Sequence, residues 1–247
     1  MYERWGKRAL DMAGAALLLV LLALVLGVAA LAVRIALGPP VLFRQRRAGR
    51  GGEPFTLLKL RTMREGPGED AERLTRLGRW LRAAALDEIP QLVNVLRGEM
   101  SLVGPRPLPP DYSALYTPRQ ALRLTVRPGL AGLAQAAGRN AVPWAERLEL
   151  DARYAAAPPR LVRDLRLLLA CLGVVLRGHG VSAPGHATMP RFTAGAAGCD
   201  AERGHSGLTG GAQAPGGSLA LRQSLVAVPS NQPTDRNLIN HSLSSPP

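Results

Sequence analysis

The first 178 residues of this 247-residue chain contain no histidine, and the whole chain contains only two cysteines. If the chemistry lies in the histidine-free part, Ser-His and Cys-His nucleophilic pairs, HExxH zinc sites and acid–base catalysis by histidine are excluded. Cys171 and Cys199 are too few for a disulfide scaffold or a cysteine-rich metal site. Carboxylates and cationic side chains are therefore left to do any chemistry.

Lysine and aromatic residues are also scarce. Lysine occurs only at Lys7 and Lys59, so arginine supplies almost all of the formal net charge of +13, and aromatic residues make up 4% of the chain. Such a charge suits nucleic acid, anionic lipid or phosphate-bearing substrates, and it does not choose among them. A nucleic-acid binder would need aromatic stacking platforms or a recognition helix, so we expect no nucleic-acid partner.

The run from Met12 to Val33 contains no charged residue. As a helix that rises about 1.5 Å per residue, it is long enough to cross a hydrocarbon layer of roughly 30 Å. Cationic residues flank the run on both sides, which favours a segment that enters and leaves the membrane on the same face. Re-entry requires a break in the helix, however, and the run contains no proline. Spanning and re-entry therefore both stay open.

Three regions follow from the changes in composition. Residues 1–37 hold the basic flank and the membrane helix, and residues 38–181 indicate a compact mixed α/β domain with amphipathic helices suited to a membrane surface. Residues 182–247 are rich in Gly, Pro and Ser, with Phe192 as their only aromatic residue. Since little apolar surface offsets the entropy of ordering them, we predict a disordered tail.

Within the domain, hydrophobic spacing predicts several elements. Two short apolar runs, Val41–Arg44 and Phe55–Leu60, are typical of strands and flank a glycine-rich turn. Apolar residues recur at helical spacing over Glu72–Ala85, over residues 89–96 and over residues 161–172. The last helix carries arginines opposite its apolar face, which favours a position in the core or at a membrane surface.

Two adjacent carboxylates, Asp87 and Glu88, stand at the start of the second predicted helix. A helix N-terminus favours anions and depresses the pKa of a carboxyl group. An ionised aspartate is a nucleophile that needs no base, and a neighbouring carboxylate can hold a divalent cation. The same pair is also compatible with a plain N-terminal cap without any chemical role.

Cationic side chains lie near this pair in the sequence. Lys59 and Arg61 are two residues apart at a strand end, so they share one face. Arg106 lies in a rigid Gly/Pro loop and Arg139 lies in a turn, where arginine suits bidentate contacts with phosphate. Each of them taken alone is equally compatible with a solvated surface residue.

The order of these motifs resembles the bacterial sugar transferases, the monotopic phosphoglycosyl transferases that initiate glycan assembly. The resemblance covers about residues 4–181. In chain order its motifs are Lys7-Arg8 with Asp11, Phe43-Arg44-Gln45, Lys59-Leu60-Arg61-Thr62-Met63, Leu86-Asp87-Glu88-Ile89-Pro90-Gln91, Met100-Ser101-Leu102-Val103-Gly104-Pro105-Arg106-Pro107, Arg127-Pro128-Gly129-Leu130, Gly132-Leu133-Ala134-Gln135 and Gly138-Arg139-Asn140, with Asp151 and Tyr154 beyond.

The resemblance implies a reaction in which a UDP-sugar gives its sugar-1-phosphate to undecaprenyl phosphate and UMP leaves. It implies that Asp87 attacks the sugar phosphate, forming a covalent phosphosugar-enzyme, and that Glu88 helps to hold Mg²⁺. Candidates for phosphate or nucleotide contacts are Lys59, Arg61, Arg106, Gln135, Arg139 and Asn140. Arg61 could instead pair structurally with an acidic neighbour.

The resemblance also implies an inner-membrane protein whose catalytic domain faces the cytoplasm and whose product serves downstream glycosyltransferases. One departure from the family is the membrane segment, which lacks the Ser-Pro-like break that makes it re-enter. The alternative function is a catalytically inactive membrane scaffold in a glycan-assembly complex, although the intact Asp87-Glu88 pair and Lys59 argue against it.

Overall fold

The computed structural model describes residues 2–183, 186 and 188–193. Its first long element is helix α1, Lys7–Leu37, which follows a π-helical turn at Tyr2–Gly6. Among the described residues, α1 alone is long and apolar enough to cross a membrane. It ends where Gly38 adopts a φ of 70°, in front of Pro39 and Pro40, which cannot continue a helix. Its 31 residues span about 46 Å without a break.

Helix α1 lies along the domain and is bonded to it near both ends. Near its start, the Asp11 carboxylate accepts hydrogen bonds from the Ser101 hydroxyl at 2.7 Å and from the Leu102 N–H at 3.0 Å. At its end, the Arg61 guanidinium donates to the Leu37 carbonyl. Ala15, Ala29 and Val33 are buried on the side between these contacts. One face of α1 is thus fixed to the domain along most of its length.

The first two strands form an antiparallel hairpin, which confirms the pair predicted from the sequence. Strand β1, Leu42–Ala48, pairs with β2, Pro54–Leu60, in a register that sets Phe43 opposite Lys59. The connecting turn, Arg50–Gly52, holds Gly51 and Gly52 at positive φ, where a Cβ would be strained. The hairpin brings Lys59 to one wall of the candidate site.

A second, parallel pair joins β3, Ser101–Val103, to β4, Gly129–Ala131. The two chains come very close beyond β3, since a Cβ on Gly129 would lie 2.1 Å from the Gly104 backbone nitrogen. This explains why glycine is needed on both sides of the pair. The loop after β3 carries Arg106.

The single helix predicted over Glu72–Ala85 is wrong. The structure has two helices there, α2, Asp70–Arg73, and α3, Arg76–Ala83. Leu74 forms an isolated bridge with Met63, and the Thr75 hydroxyl caps α3 by accepting the Gly78 N–H at 3.0 Å. The apolar spacing of Leu74, Leu77 and Leu81 continues across the break, so periodicity alone conceals it.

The other helices follow in chain order. A 3₁₀ turn at Leu86–Glu88 precedes the next helix, and further 3₁₀ turns lie at Pro110–Leu115, Leu122–Thr125 and Arg139–Ala141. The predicted second and third amphipathic helices are confirmed as α4 and α8. The bounds are α4, Gln91–Arg97; α5, Pro118–Ala121; α6, Leu133–Gly138; α7, Trp144–Ala156; and α8, Leu161–Leu176.

Asp164 on α8 joins the N-terminal segment to α7 and α8. Its carboxylate accepts hydrogen bonds from Tyr2 at 2.7 Å, from Lys7 at 2.8 Å and from Tyr154 at 3.0 Å. The Tyr154 hydroxyl also donates to the Val103 carbonyl of β3. The helices and strands together confirm the predicted mixed α/β class with a long N-terminal apolar helix.

Residues 188–193, which we call the strap, lie against the domain although they belong to the predicted tail. Phe192 is 3% exposed and contacts the rings of Tyr112, Tyr116 and Trp144. The ordered part of the chain therefore extends past residue 181. The prediction of disorder for residues 194–247 falls outside the described residues.

Candidate functional site

One cavity of about 810 Å³ brings together the catalytic and phosphate-binding candidates that the sequence predicted. Its walls come from β2, from the 3₁₀ turns at 86–88 and 139–141, from the loop after β3 and from α6. The size lies within the range of small-molecule sites, roughly 300–1,000 Å³. The predicted residues that line it are Lys59, Arg61, Asp87, Glu88, Arg106, Gln135, Arg139 and Asn140.

The Glu88 carboxylate is held by two cations. Its Oε1 accepts from Lys59 Nζ at 2.9 Å and from Arg106 Nη2 at 2.5 Å, and its Oε2 accepts from Arg106 Nη1 at 3.2 Å. The Glu88 side chain is only 13% exposed. Burial alone would raise the pKa of Glu88, but Arg106 and Lys59 outweigh it and hold that pKa well below its usual range.

Asp87 lies beside this ion pair, but it differs from Glu88 in its hydrogen bonding and in the direction of its pKa shift. It is 5% exposed, and no hydrogen bond to its carboxylate occurs within the described part of the chain. Burial raises the pKa of Asp87; the Lys59 ammonium opposes the rise and the Glu88 carboxylate adds to it. The expectation of a depressed pKa is therefore wrong for Asp87. The pair lies in the 3₁₀ turn ahead of α4, so the helix N-terminus does not govern it.

The backbone is strained on both sides of the cavity. Ala85, two residues before Asp87, has a φ of 55°, and Arg139 has a φ of 54°. Among the described residues these are the two non-glycine positions with positive φ. Such conformations cost about 1–3 kcal/mol each and persist where the surrounding structure imposes them, often at functional sites.

Five buried polar atoms of the cavity lining have no hydrogen-bond partner among the described residues: Arg47 Nε, Arg61 Nε, Gln135 Oε1, Arg139 Nη1 and Arg147 Nε. The other end of the Arg139 guanidinium, Nη2, donates to the Arg82 carbonyl at 3.0 Å, and this bond fixes its direction. Buried polar atoms are normally satisfied, so these atoms, Gln135 Oε1 and Arg139 Nη1 among them, are available to a polar ligand.

Arg61 and Asn140 line the cavity but are bound to the backbone. Arg61 donates to the carbonyls of Leu37, Gly38 and Pro39 and pairs with Glu65 at 3.0 Å, so it fastens the end of α1 to the hairpin. Asn140 Nδ2 donates to the Val181 carbonyl at 2.8 Å. The geometry gives both residues a structural part in shaping the site.

A family model described as bacterial sugar transferase matches residues 2–178. The chain belongs to the bacterial sugar transferase family. EpsL of Bacillus subtilis, an uncharacterized sugar transferase, is 44% identical to this chain over 193 residues. The match covers 76% of this chain and 95% of EpsL. The UDP-glucose:undecaprenyl-phosphate glucose-1-phosphate transferase of Caulobacter vibrioides is 47% identical over 182 residues, covering 66% and 67%.

A third relative, the exopolysaccharide production protein ExoY of Rhizobium meliloti, is 37% identical over 172 residues, covering 60% of this chain and 76% of that protein. The family resemblance drawn from the motifs is thereby confirmed. The prediction of an enzyme of the phosphoglycosyl transferase class is confirmed with it.

Sequence reasoning missed several residues that line the cavity of this transferase. Arg82 on α3 and Arg147 on α7 are single arginines in helices, outside any recognisable motif. Tyr112 and Trp144 form an aromatic wall, with ring centroids 5.8 Å apart. The strap residues Thr188, Met189, Pro190 and Arg191 also line the cavity, although their composition predicts a tail.

Replacing each carboxylate by its amide should affect the stability of this transferase differently. Since the pKa of Asp87 is raised, the folded chain disfavours ionised Asp87 at neutral pH, and Asp87→Asn should leave the thermal midpoint unchanged or higher. Glu88→Gln leaves the largely buried Lys59 and Arg106 without their anion. It should lower the free energy of unfolding by on the order of 3 kcal/mol.

Thermal unfolding of the detergent-solubilised variants at several pH values tests this contrast. A carboxyl group with a raised folded-state pKa contributes stability at low pH, and that contribution is lost as the pH rises through the folded-state pKa. The difference between wild type and Asp87→Asn should therefore shrink on acidification. A larger loss of stability from Asp87→Asn than from Glu88→Gln at pH 7 would contradict the assignment.

Proposed function

We propose that this protein transfers sugar-1-phosphate from a UDP-sugar to undecaprenyl phosphate, with release of UMP, through a covalent intermediate on Asp87. Transfer of a sugar phosphate to a lipid carrier is the reaction named for its relatives. The observation that carries the covalent route is a buried carboxylate, Asp87, without hydrogen-bond partners among the described residues, beside a carboxylate that two cations already hold. The lipid-linked product would then pass to downstream glycosyltransferases.

In the first step the donor diphosphate lies among the cations of the cavity. An Asp87 oxygen attacks the phosphorus that bears the sugar, and the P–O bond to the UMP phosphate breaks. The bridging oxygen and its electron pair leave with UMP. Arg139 lines the cavity, and its Nη1 has no hydrogen-bond partner in the described part of the chain, so it can donate to a phosphate oxygen.

In the second step an oxygen of undecaprenyl phosphate attacks the same phosphorus. The Asp87 carboxylate leaves, which yields the polyprenyl diphosphate sugar and restores the enzyme. A carboxylate and a phosphate attack as their anions, so neither step uses a histidine base. This agrees with the absence of histidine from the first 178 residues. The cations that hold Glu88 keep it from competing with Asp87 as a nucleophile.

Mg²⁺ is the expected cofactor, and the residues present fit it. No cluster of three or more His, Cys, Asp or Glu side chains occurs within the described ranges, so the protein offers few ligands. Mg²⁺ is commonly bound through one or two carboxylates together with substrate phosphates and waters. Glu88 Oε2 accepts one hydrogen bond and keeps a lone pair for such an ion. When bound, the ion would neutralise charge on the donor diphosphate.

The same proposal includes a membrane topology in which both ends of α1 lie on the cytoplasmic side with the domain. Support comes from Asp11 near one end and Leu37 at the other, since both are bonded to the same domain. If α1 crossed the bilayer, its polar neighbours Ser101 and Arg61 would be drawn into hydrocarbon, which is costly. The exposed face would instead enter the lipid; its residues include Leu17, Val20, Leu21, Leu24, Val28, Leu31 and Ile35.

Fusion reporters at the two termini test this topology. Green fluorescent protein folds to its fluorescent form in the cytoplasm, and alkaline phosphatase is active only beyond the inner membrane. We expect fluorescence and no phosphatase activity from fusions at either terminus. Phosphatase activity at one terminus and fluorescence at the other would mean that α1 spans the membrane.

Trapping the intermediate tests the reaction. The purified enzyme should be incubated with Mg²⁺ and a panel of UDP-sugars, without acceptor, and examined by intact-mass and peptide mass spectrometry. We expect UMP release and a phosphosugar adduct on the peptide that contains Asp87. Asp87→Asn should form no adduct and lose turnover by at least 10³-fold, as is typical when a nucleophile is removed.

The control for that experiment is Arg119→Gln, which changes an exposed arginine outside the cavity. It should form the adduct like wild type. Retention of full turnover by Asp87→Asn would exclude the covalent route. If the wild-type enzyme releases no UMP from any sugar of the panel, the inactive scaffold becomes the better account.

A further inference from the structure

The strap is fastened across the cavity at two points. At its start the Thr188 hydroxyl donates to the Asp70 carboxylate at 2.7 Å. Near its end the Phe192 ring lies 5.4 Å from the Trp144 ring and 5.6 Å from the Tyr112 ring, measured between centroids. Residues between these points are held in a defined position over the cavity.

Backbone hydrogen bonds reinforce the second fastening. The Trp144 indole N–H donates to the Pro190 carbonyl at 3.0 Å, and the Phe192 N–H donates to the Tyr112 hydroxyl at 3.1 Å. Both partners of the strap are aromatic residues of the cavity wall. In a chain with only 4% aromatic residues, their concentration here gives the strap a specific seat.

Three residues of the strap, Met189, Pro190 and Arg191, line the cavity between the fastenings. Met189 Sδ lies 3.8 Å from the Arg147 guanidinium, which itself lines the cavity. Arg191 is exposed, and it pairs with no carboxylate in the part of the chain that the structure describes. The strap therefore adds a cation that has no carboxylate partner among the described residues to the cavity in which we place the donor diphosphate.

We propose that the strap is part of the donor site and that Arg191 binds a phosphate oxygen of the nucleotide sugar. The proposal rests on the proposed function, since it takes the UDP-sugar as the occupant of the cavity. The described contacts of the strap run to Asp70, Tyr112, Tyr116, Trp144 and Arg147, and none runs to the lipid-facing helix α1. A water-soluble donor fits this position better than the phosphate of a membrane-bound acceptor.

A pair of truncations and a point variant test the proposal. One chain ends after Thr193 and keeps the strap, and the other ends after Ala187 and lacks it. The KM of the UDP-sugar with the highest turnover, the KM of undecaprenyl phosphate and kcat are measured for each. The chain that ends at Thr193 should keep the donor KM of the full chain within about twofold.

Loss of the strap should raise the donor KM at least tenfold, the factor that corresponds to about 1.4 kcal/mol, and leave the acceptor KM unchanged. Because removal of Phe192 exposes its aromatic neighbours and could impair folding, Arg191→Gln serves as a milder variant. It should raise the donor KM about fivefold to tenfold at unchanged thermal stability, whereas Arg119→Gln should leave the donor KM unchanged.

The outcomes separate the two proposals. If the full chain releases UMP and Arg191→Gln keeps the wild-type donor KM, the strap proposal is wrong and the proposed function stands. A rise in the acceptor KM alone would likewise overturn the strap proposal, because it would assign Arg191 to the lipid phosphate. If the full chain turns over no UDP-sugar, both proposals fail together.

Discussion

The site depends on the ion pair that Glu88 forms with Lys59 and Arg106. This pair joins β2, the 3₁₀ turn at 86–88 and the loop after β3, three elements that are distant in the sequence. It also gives the two adjacent carboxylates different surroundings. Glu88 binds Lys59 and Arg106, and Asp87 is buried and has no hydrogen-bond partner in the ranges that the structure describes. In the proposed reaction, a carboxylate bonded to Lys59 and Arg106 would be a weaker nucleophile than Asp87.

The ion pair is itself supported by a second, deeper one. Arg123 and Asp151 form a salt bridge of 2.9 Å, with their side chains 3% and 1% exposed. Arg123 also donates to the Arg106 carbonyl at 2.5 Å. Breaking a buried pair by removing one partner is strongly destabilising, so α7 fixes the loop that carries Arg106. The position of the Arg106 guanidinium at Glu88 therefore depends on Arg123 and Asp151, which do not line the cavity.

The sequence was sufficient for features that depend on local pattern. The hairpin, α4 and α8 follow from apolar spacing and glycine, and the predicted site residues all line one cavity. It was insufficient where contacts between residues far apart in the sequence determine the local structure or the pKa of a group. Leu74 leaves the helical pattern because it bridges to Met63, and burial raises the pKa of Asp87 against the trend of a helix N-terminus. The strap likewise has a tail-like composition, and only its aromatic partners hold it in place.

The stereochemical course at phosphorus distinguishes two displacements through Asp87 from a single transfer between the substrates. The donor is a UDP-sugar whose sugar-linked phosphorus is made chiral by replacing one non-bridging oxygen with sulfur. Each in-line displacement inverts that phosphorus. Because the proposed route through Asp87 has two displacements, we expect the lipid-linked product to retain the configuration of the donor. Inversion would mean a single direct transfer between the two substrates and would contradict the covalent role of Asp87.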